Sequence, residues 1–195
     1  LWTRLRSYDN FVVDSEVYFR GNDPWYHLRE TTHLLENWPN TISFDPWTGF
    51  PFGNAVGQFG TLWDHIMTIG IWIASPIMGG PEKVMLLMAH IAGTLVAIPT
   101  YFIAQRFVDR FSAVAGVAVL ALLPGTFFSY SLVGFPDHSA AEVLFQSLAV
   151  LAFLVAFAVA EREAPVWELI VDRDWDALKH PVAYAAAAAY ATGCL

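Results

Sequence analysis

Three stretches of this chain, 83–104, 111–133 and 140–160, carry no charge beyond Lys83 and Glu142 near their edges. As helices rising 1.5 Å per residue, these and the weaker stretch 61–79 would each reach about 28 to 35 Å, enough to cross a hydrocarbon layer of about 30 Å. The surrounding composition favours a bilayer over a large soluble core. Of 195 residues, 56% are apolar and only 14% are charged, and the mean hydropathy is +0.45, whereas soluble domains carry roughly 25% charged residues. So few charges cannot coat a soluble domain of this size, and so apolar a chain is not disordered. The fold class expected is an all-α polytopic membrane protein. Ten Asp and eight Glu face only two Lys, Lys83 and Lys179, and the net charge of −8 argues against nucleic acid as a partner. This acidic, Lys-poor, Ala-rich balance hints at a high-salt organism. The single cysteine, Cys194, rules out an internal disulfide and a Cys-based metal cluster.

The stretch 61–79 has Asp64 and His65 near its start and Pro76 near its end, which suits an interfacial or re-entrant segment better than a span. Residues 1–60 are polar and rich in Trp, Asn, Asp, Pro and Gly, and they read as a loop region with short helices. A charged amphipathic segment, 161–180, precedes an apolar start at 181–195. With Leu1 at its head and an unfinished apolar run at its tail, the chain is expected to be a fragment cut at both ends. The link 105–110 places Arg106 and Arg110 between two spans, and the positive-inside rule puts it in the cytoplasm. The loop 134–139 then emerges outside. If 61–79 does not cross, the polar loop lies on that same outer face; if it crosses, the two loops are on opposite faces.

Two acidic positions stand beside helix starts. Asp23, followed by Pro24, fits an N-cap for a helix over 24–37, and Asp45 before Pro46 makes the same pattern. Around Asp137, the order Ser139-Ala-Ala-Glu142 fits a capping box, which leaves Asp137 outside the helix with no structural task. A carboxylate there, next to a helix end that favours anions, is a place for a divalent cation and a phosphate to meet. Among six scattered histidines only His138 adjoins such a site, and an imidazole suits Mn²⁺ or Zn²⁺ better than Mg²⁺. His27 and His33 do not share a helix face well, and His65 and His90 lie in apolar stretches. The aromatics Trp25, Tyr26, Trp38, Phe44, Trp47, Phe50, Phe52 and Phe59 form either an interfacial belt or a groove for peptide, sugar or lipid.

Four motifs occur in order: Asp23-Pro24-Trp25 with Arg29; Asp45, Thr48, Pro51 and Gly53; Pro124-Gly125; and Ser131, Gly134, Asp137 and His138. Together, over about residues 10–160, they resemble the catalytic subunit of oligosaccharyltransferases, in particular its archaeal form. The resemblance implies a C-type glycosyltransferase (GT-C) fold, with 1–82 as a long extracytoplasmic loop whose 61–79 part touches the membrane. It also implies three transmembrane helices at 83–104, 111–133 and 138–160, a cytoplasmic 161–180, and a further span starting at 181. The implied activity is transfer of a lipid-linked oligosaccharide, carried on dolichyl phosphate or diphosphate, to the Asn side chain of N-x-S/T acceptor polypeptides. It would take place on the extracytoplasmic face of a multi-pass cell membrane.

The implied site residues are Asp23 and Asp137, both catalytic and both holding a Mn²⁺ or Mg²⁺ ion. Ser139 occupies a family ligand position where a carboxylate or His is usual, and His138 is a further ligand candidate. Tyr130 stands where the family often has Arg, and the family's acceptor-binding motif does not occur in this sequence, so the fragment alone is expected to be inactive. Another lipid-linked GT-C glycosyltransferase is the rival reading. A transporter would bury its acids within spans, whereas Asp23 and Asp137 sit in loops.

Overall fold

The computed structural model describes residues 2–56 and 62–163, together with positions 171 and 173. In chain order come α1 (Trp2–Leu5), a 3₁₀ turn (Tyr8–Asn10), β1 (Val12–Val13), β2 (Glu16–Val17), α2 (Asp23–Asn37), β3 (Phe44–Asp45) and β4 (Asn54–Ala55). The helices α3 (Leu62–Met78), α4 (Pro81–Leu95), α5 (Ala97–Ala104), α6 (Arg110–Leu122), α7 (Thr126–Tyr130) and α8 (Ser139–Glu163) follow. Contacts divide the chain into two units, one of Leu1–Thr94 with Leu123–Ala141 and one of Leu95–Leu122 with Glu142–Leu195.

In the first unit, α2 packs on α3. The buried positions of α2 include Pro24, His27, Thr31 and Leu34, spaced by three and four, so they line one helix face. On α3 the buried residues are Trp63, Asp64, Met67, Thr68 and Ile71, while Ile69, Ile73 and Ile77, four apart, are exposed on the other side. Val84, Met85, Leu86 and Ala89 of α4 extend the core.

Segment 131–137 returns against α4. The Gly134 amide donates to the Leu86 carbonyl at 3.5 Å, the Val133 amide to Arg4 at 3.3 Å, and the Arg20 amide to the Gly134 carbonyl at 2.8 Å. A Cβ on Gly93 would lie 2.3 Å from that of Ser131, so only glycine permits this approach. Two antiparallel ladders, Val12↔Val17 with Val13↔Glu16 and Phe44↔Ala55 with Asp45↔Asn54, modify the all-α expectation. They are two residues long per strand, and the described chain remains mostly helical.

In the second unit α5 packs on α6. Phe102, Phe111, Val119, Leu122, Phe153 and Phe157 are exposed, and Ala113 is the one buried residue of α6. Two stretches are long and apolar enough to cross a membrane, Pro81–Ala104 and Ser139–Ala158. They correspond to the expected spans at 83–104 and 138–160.

The third expected span, 111–133, is not one continuous helix. Its helix α6 covers only Arg110–Leu122, 13 residues, or about 20 Å, short of a hydrocarbon layer. Pro124 has no amide to donate and Gly125 adopts fully extended angles, so the helix stops and only the short α7 follows before the chain turns toward Asp137. Apart from the last residues of α8 and positions 171 and 173, the segments 161–180 and 181–195 lie outside the described residues.

Candidate metal centre

Asp137 sits on the return segment just before α8 and is only 2% exposed. Its two oxygens have separate tasks. Oδ2 accepts hydrogen bonds from the Ser139 amide at 3.2 Å and from the Ser139 hydroxyl. Asp137 itself therefore serves the start of α8, whereas the sequence left it without a structural task and made Ser139 the cap. Oδ1 faces two imidazoles, with His138 Nδ1 at 2.9 Å and His27 Nε2 at 3.5 Å. Those two ring nitrogens are 3.3 Å apart.

His27 reaches this point from the buried face of α2, and its other nitrogen, Nδ1, is 2.6 Å from Asp64 Oδ1 on α3. The α2–α3 packing thus joins His27 and Asp64, 37 residues apart in sequence. With Asp64 accepting from Nδ1–H, His27 Nε2 is turned toward Asp137 and His138.

His27, Asp137 and His138 offer three ligand atoms within 4.8 Å of one another. Asp137 Oδ1 is buried and faces the two imidazole nitrogens, and a buried carboxylate oxygen needs the positive charge that a protonated imidazole or a bound cation supplies. Burial disfavours a charged His27, yet the facing carboxylates of Asp137 and Asp64 outweigh it and raise its pKa to about 9. Burial likewise disfavours the Asp137 carboxylate, but His138, His27 and Ser139 hold its pKa well below the usual range. The local field is thus arranged for one anionic oxygen surrounded by positive charge, which a divalent cation would supply directly.

Asp23 is exposed at the first position of α2. The N-cap position is Asn22 and makes no side-chain cap bond, so the expected cap at Asp23 does not form. One turn of helix separates Asp23 from His27, a spacing that puts their Cβ atoms about 5 to 6 Å apart on one face.

Asp45 also departs from the N-cap pattern. It is buried in β3, where Oδ1 accepts the Trp47 amide at 2.9 Å and Oδ2 accepts the Thr48 hydroxyl at 2.6 Å and the Arg29 guanidinium. Burial opposes ionisation there, and these donors override it to keep the Asp45 pKa low. Reading from sequence placed His138 alone beside the site and missed His27 and Asp64. The available signals were a carboxylate inside an otherwise apolar helix and a histidine one turn after Asp23.

Helical, with two stretches long and apolar enough to cross a membrane and with His27, Asp137 and His138 close enough to share one cation, the chain has the make-up of a membrane protein with a candidate metal site. Residues 6–193 match the family model described as oligosaccharyl transferase STT3, N-terminal, and the chain belongs to that family. It is 46% identical, over 98% of its length, to the dolichyl-monophosphooligosaccharide–protein glycotransferase AglB of Haloferax volcanii, and covers 18% of that protein. It is 33% identical, over 76% of its length, to dolichyl-phosphooligosaccharide-protein glycotransferase 3 of Archaeoglobus fulgidus, and covers 17% of it. The chain thus spans less than a fifth of these relatives.

Among solved structures it resembles the Archaeoglobus fulgidus oligosaccharyltransferase in complex with Zn and sulfate. The TM-score is 0.68 at 32% identity, covering 76% of this chain and 19% of that one. The same organism's AglB with an inhibitory peptide and a dolichol-phosphate matches with a TM-score of 0.67 at 32% identity, over 76% of this chain and 17% of that one.

Proposed function

We propose that this chain carries the metal-binding part of a membrane oligosaccharyltransferase with a GT-C fold. The reaction is transfer of an oligosaccharide from a dolichyl-phosphate carrier to the Asn side chain of an N-x-S/T acceptor polypeptide, on the extracytoplasmic face of the membrane. The observation that carries the reading is the trio of ligand atoms within 4.8 Å of one another, in which Asp137 Oδ1, a buried carboxylate oxygen, has imidazole nitrogens at 2.9 and 3.5 Å. Family membership supports the reaction class. So do the relatives' own names and the Archaeoglobus structures with Zn and sulfate, with a dolichol-phosphate, and with an acceptor peptide containing the NVT sequon.

The donor set fits a divalent cation. Asp137, His27 and His138 would hold it, with exposed Asp23 one turn from His27 as a further carboxylate facing solvent and substrate. Two imidazoles favour Mn²⁺ or Zn²⁺ over Mg²⁺. When bound, the cation supplies Lewis-acid stabilisation for the negative charge on the departing phosphate. Asp64 holds the His27 ring and its tautomer, and Ser139 positions Asp137 by donating to its second oxygen. Ser139 therefore acts as an orienting donor, where the family position implied a ligand. The α3 face of Ile69, Ile73 and Ile77 lies against the bilayer, which keeps the site on the same side as the aromatic loop.

The test is glycan transfer by the full-length enzyme. Asp137→Ala and Asp23→Ala should each abolish transfer to a sequon peptide while the protein still elutes as a folded species. Chelation should do the same, reversed by Mn²⁺ or Zn²⁺. Full activity in both variants would sink the reading.

A further inference from the structure

The second unit contains a cleft of about 520 Å³, far along the sequence from the metal-type centre, lined by Phe102, Gln105, Arg106, Val108, Asp109, Arg110, Leu151 and Val155. That volume is in the range of ligand pockets. Its walls are of two kinds. Phe102, Leu151 and Val155 belong to the two stretches that could cross a membrane and lie toward their ends at Ala104 and Ala158. Arg106 and Arg110 are the two cationic residues of the lining.

Asp109 is the only carboxylate in the lining, and it is already engaged. Its Oδ1 accepts the amides of Phe111 at 2.9 Å and Ser112 at 3.1 Å, and its Oδ2 accepts the Ser112 hydroxyl at 2.6 Å. Neither Arg forms an ion pair among the described residues. Arg110 is the first residue of α6, and the helix end there is already served by the Asp109 carboxylate, which leaves the Arg106 and Arg110 charges for a further anion.

We propose that this cleft binds an anionic phospholipid from the leaflet on which the 105–110 link lies. The phosphate would be held by Arg106 and Arg110, and an acyl or isoprenoid chain would lie along Phe102, Leu151 and Val155. Planar guanidiniums match phosphate oxygens in a two-bond fork, and basic residues at the ends of spans stand at headgroup depth. The exposed Phe107 and Phe111, each following one of the two Arg in sequence, add apolar surface. The chain carries a net charge of −8, so attraction here is local to the two Arg and owes nothing to the overall field.

The full-length protein, purified with equal parts phosphatidylglycerol and phosphatidylcholine, would be examined by native mass spectrometry for retained lipid. Wild type should keep phosphatidylglycerol preferentially. Arg106→Gln with Arg110→Gln should lower that preference on the order of fivefold per Arg removed. Leu151→Trp, which keeps both charges but fills the cleft, should lose the lipid as well. Glycan transfer in detergent should be the same for the Arg pair variant and wild type, showing an intact fold.

Four results would overturn the proposal. One is equal retention of both lipids by wild type, and another is unchanged preference in the Arg variant. The third is inorganic phosphate binding as tightly as phosphatidylglycerol, because the apolar wall would then contribute nothing. No retained lipid, because another segment of the chain fills the cleft, would overturn it equally.

Discussion

Among the described residues of the unit of Leu1–Thr94 and Leu123–Ala141, ten polar or charged side chains are buried, including Arg4, His27, Glu30, Asp45, Asp64 and Asp137; among those of the other unit there are none. That other unit instead exposes Phe102, Phe111, Val119, Leu122, Phe153 and Phe157. Apolar residues are plentiful in both, so hydrophobicity alone does not separate them. What separates them is which side chains face inward. The first unit shields acids and histidines from water, and a charge buried there needs a partner, because an unpaired one costs several kcal/mol. The second leaves its greasy surface outward, which is stable only where lipid replaces water.

The comparison can be broken most directly by truncating a side chain in each unit. Leu34, fully buried on α2, should cost about 2 to 5 kcal/mol as Leu34→Ala. Val119→Ala, on exposed α6, should stay within about 0.5 kcal/mol. Thermal unfolding of the two variants in one detergent tests both, and similar losses would erase the distinction.

If the buried acids of the first unit serve binding, Asp64→Asn should weaken metal affinity about 10- to 100-fold by releasing the His27 ring. Titration calorimetry with Mn²⁺ or Zn²⁺ reads this, and unaltered affinity would make Asp64 purely structural.

A smaller contrast lies in two glycines. Gly93→Ala places its Cβ against Ser131 and should destabilise by about 1 to 3 kcal/mol. Gly116→Ala meets nothing within 4 Å and should stabilise α6 by about 0.5 to 1 kcal/mol. Melting temperatures that move together would contradict the difference in packing.

The least effect concerns pH. A carboxylate whose folded pKa is depressed contributes stability that is present above its unfolded value, about 3.9, and is lost as pH falls through the folded one. Asp45 is such a group. Wild type should therefore lose stability below about pH 3.9, and Asp45→Asn should flatten that part of the curve. Identical acid melts would remove Asp45 from the account.

The membrane class and the two stretches now seen as Pro81–Ala104 and Ser139–Ala158 were legible, because a long uncharged run has few places to go. In the third stretch the helix stops where Pro124 and Gly125 stand in plain view. Asp137 was legible as a candidate because it sits at a helix boundary, a local feature. His27 and Asp64 were not, since what joins them is the contact of α2 with α3, and side-chain period along one helix says nothing of which partner lies opposite. Asp23 and Asp45 looked alike in sequence, each preceding proline. Only tertiary context separates them: Asp45 is enclosed by Arg29, Thr48 and the Trp47 amide, and Asp23 is open.

The divided carboxylate of Asp137 sets how little the position can vary. Asn could still accept the Ser139 amide through its carbonyl oxygen, yet it would turn a neutral amide group to the imidazoles. Glu would keep the charge but, one methylene longer, would lift either the helix contact or the ligand oxygen out of place. Two demands of different kinds, one of shape and one of charge, fall on a three-atom group. Of the twenty side chains, the short carboxylate of Asp alone meets both, so drift at this position would register at once as a lost site and a loosened helix start.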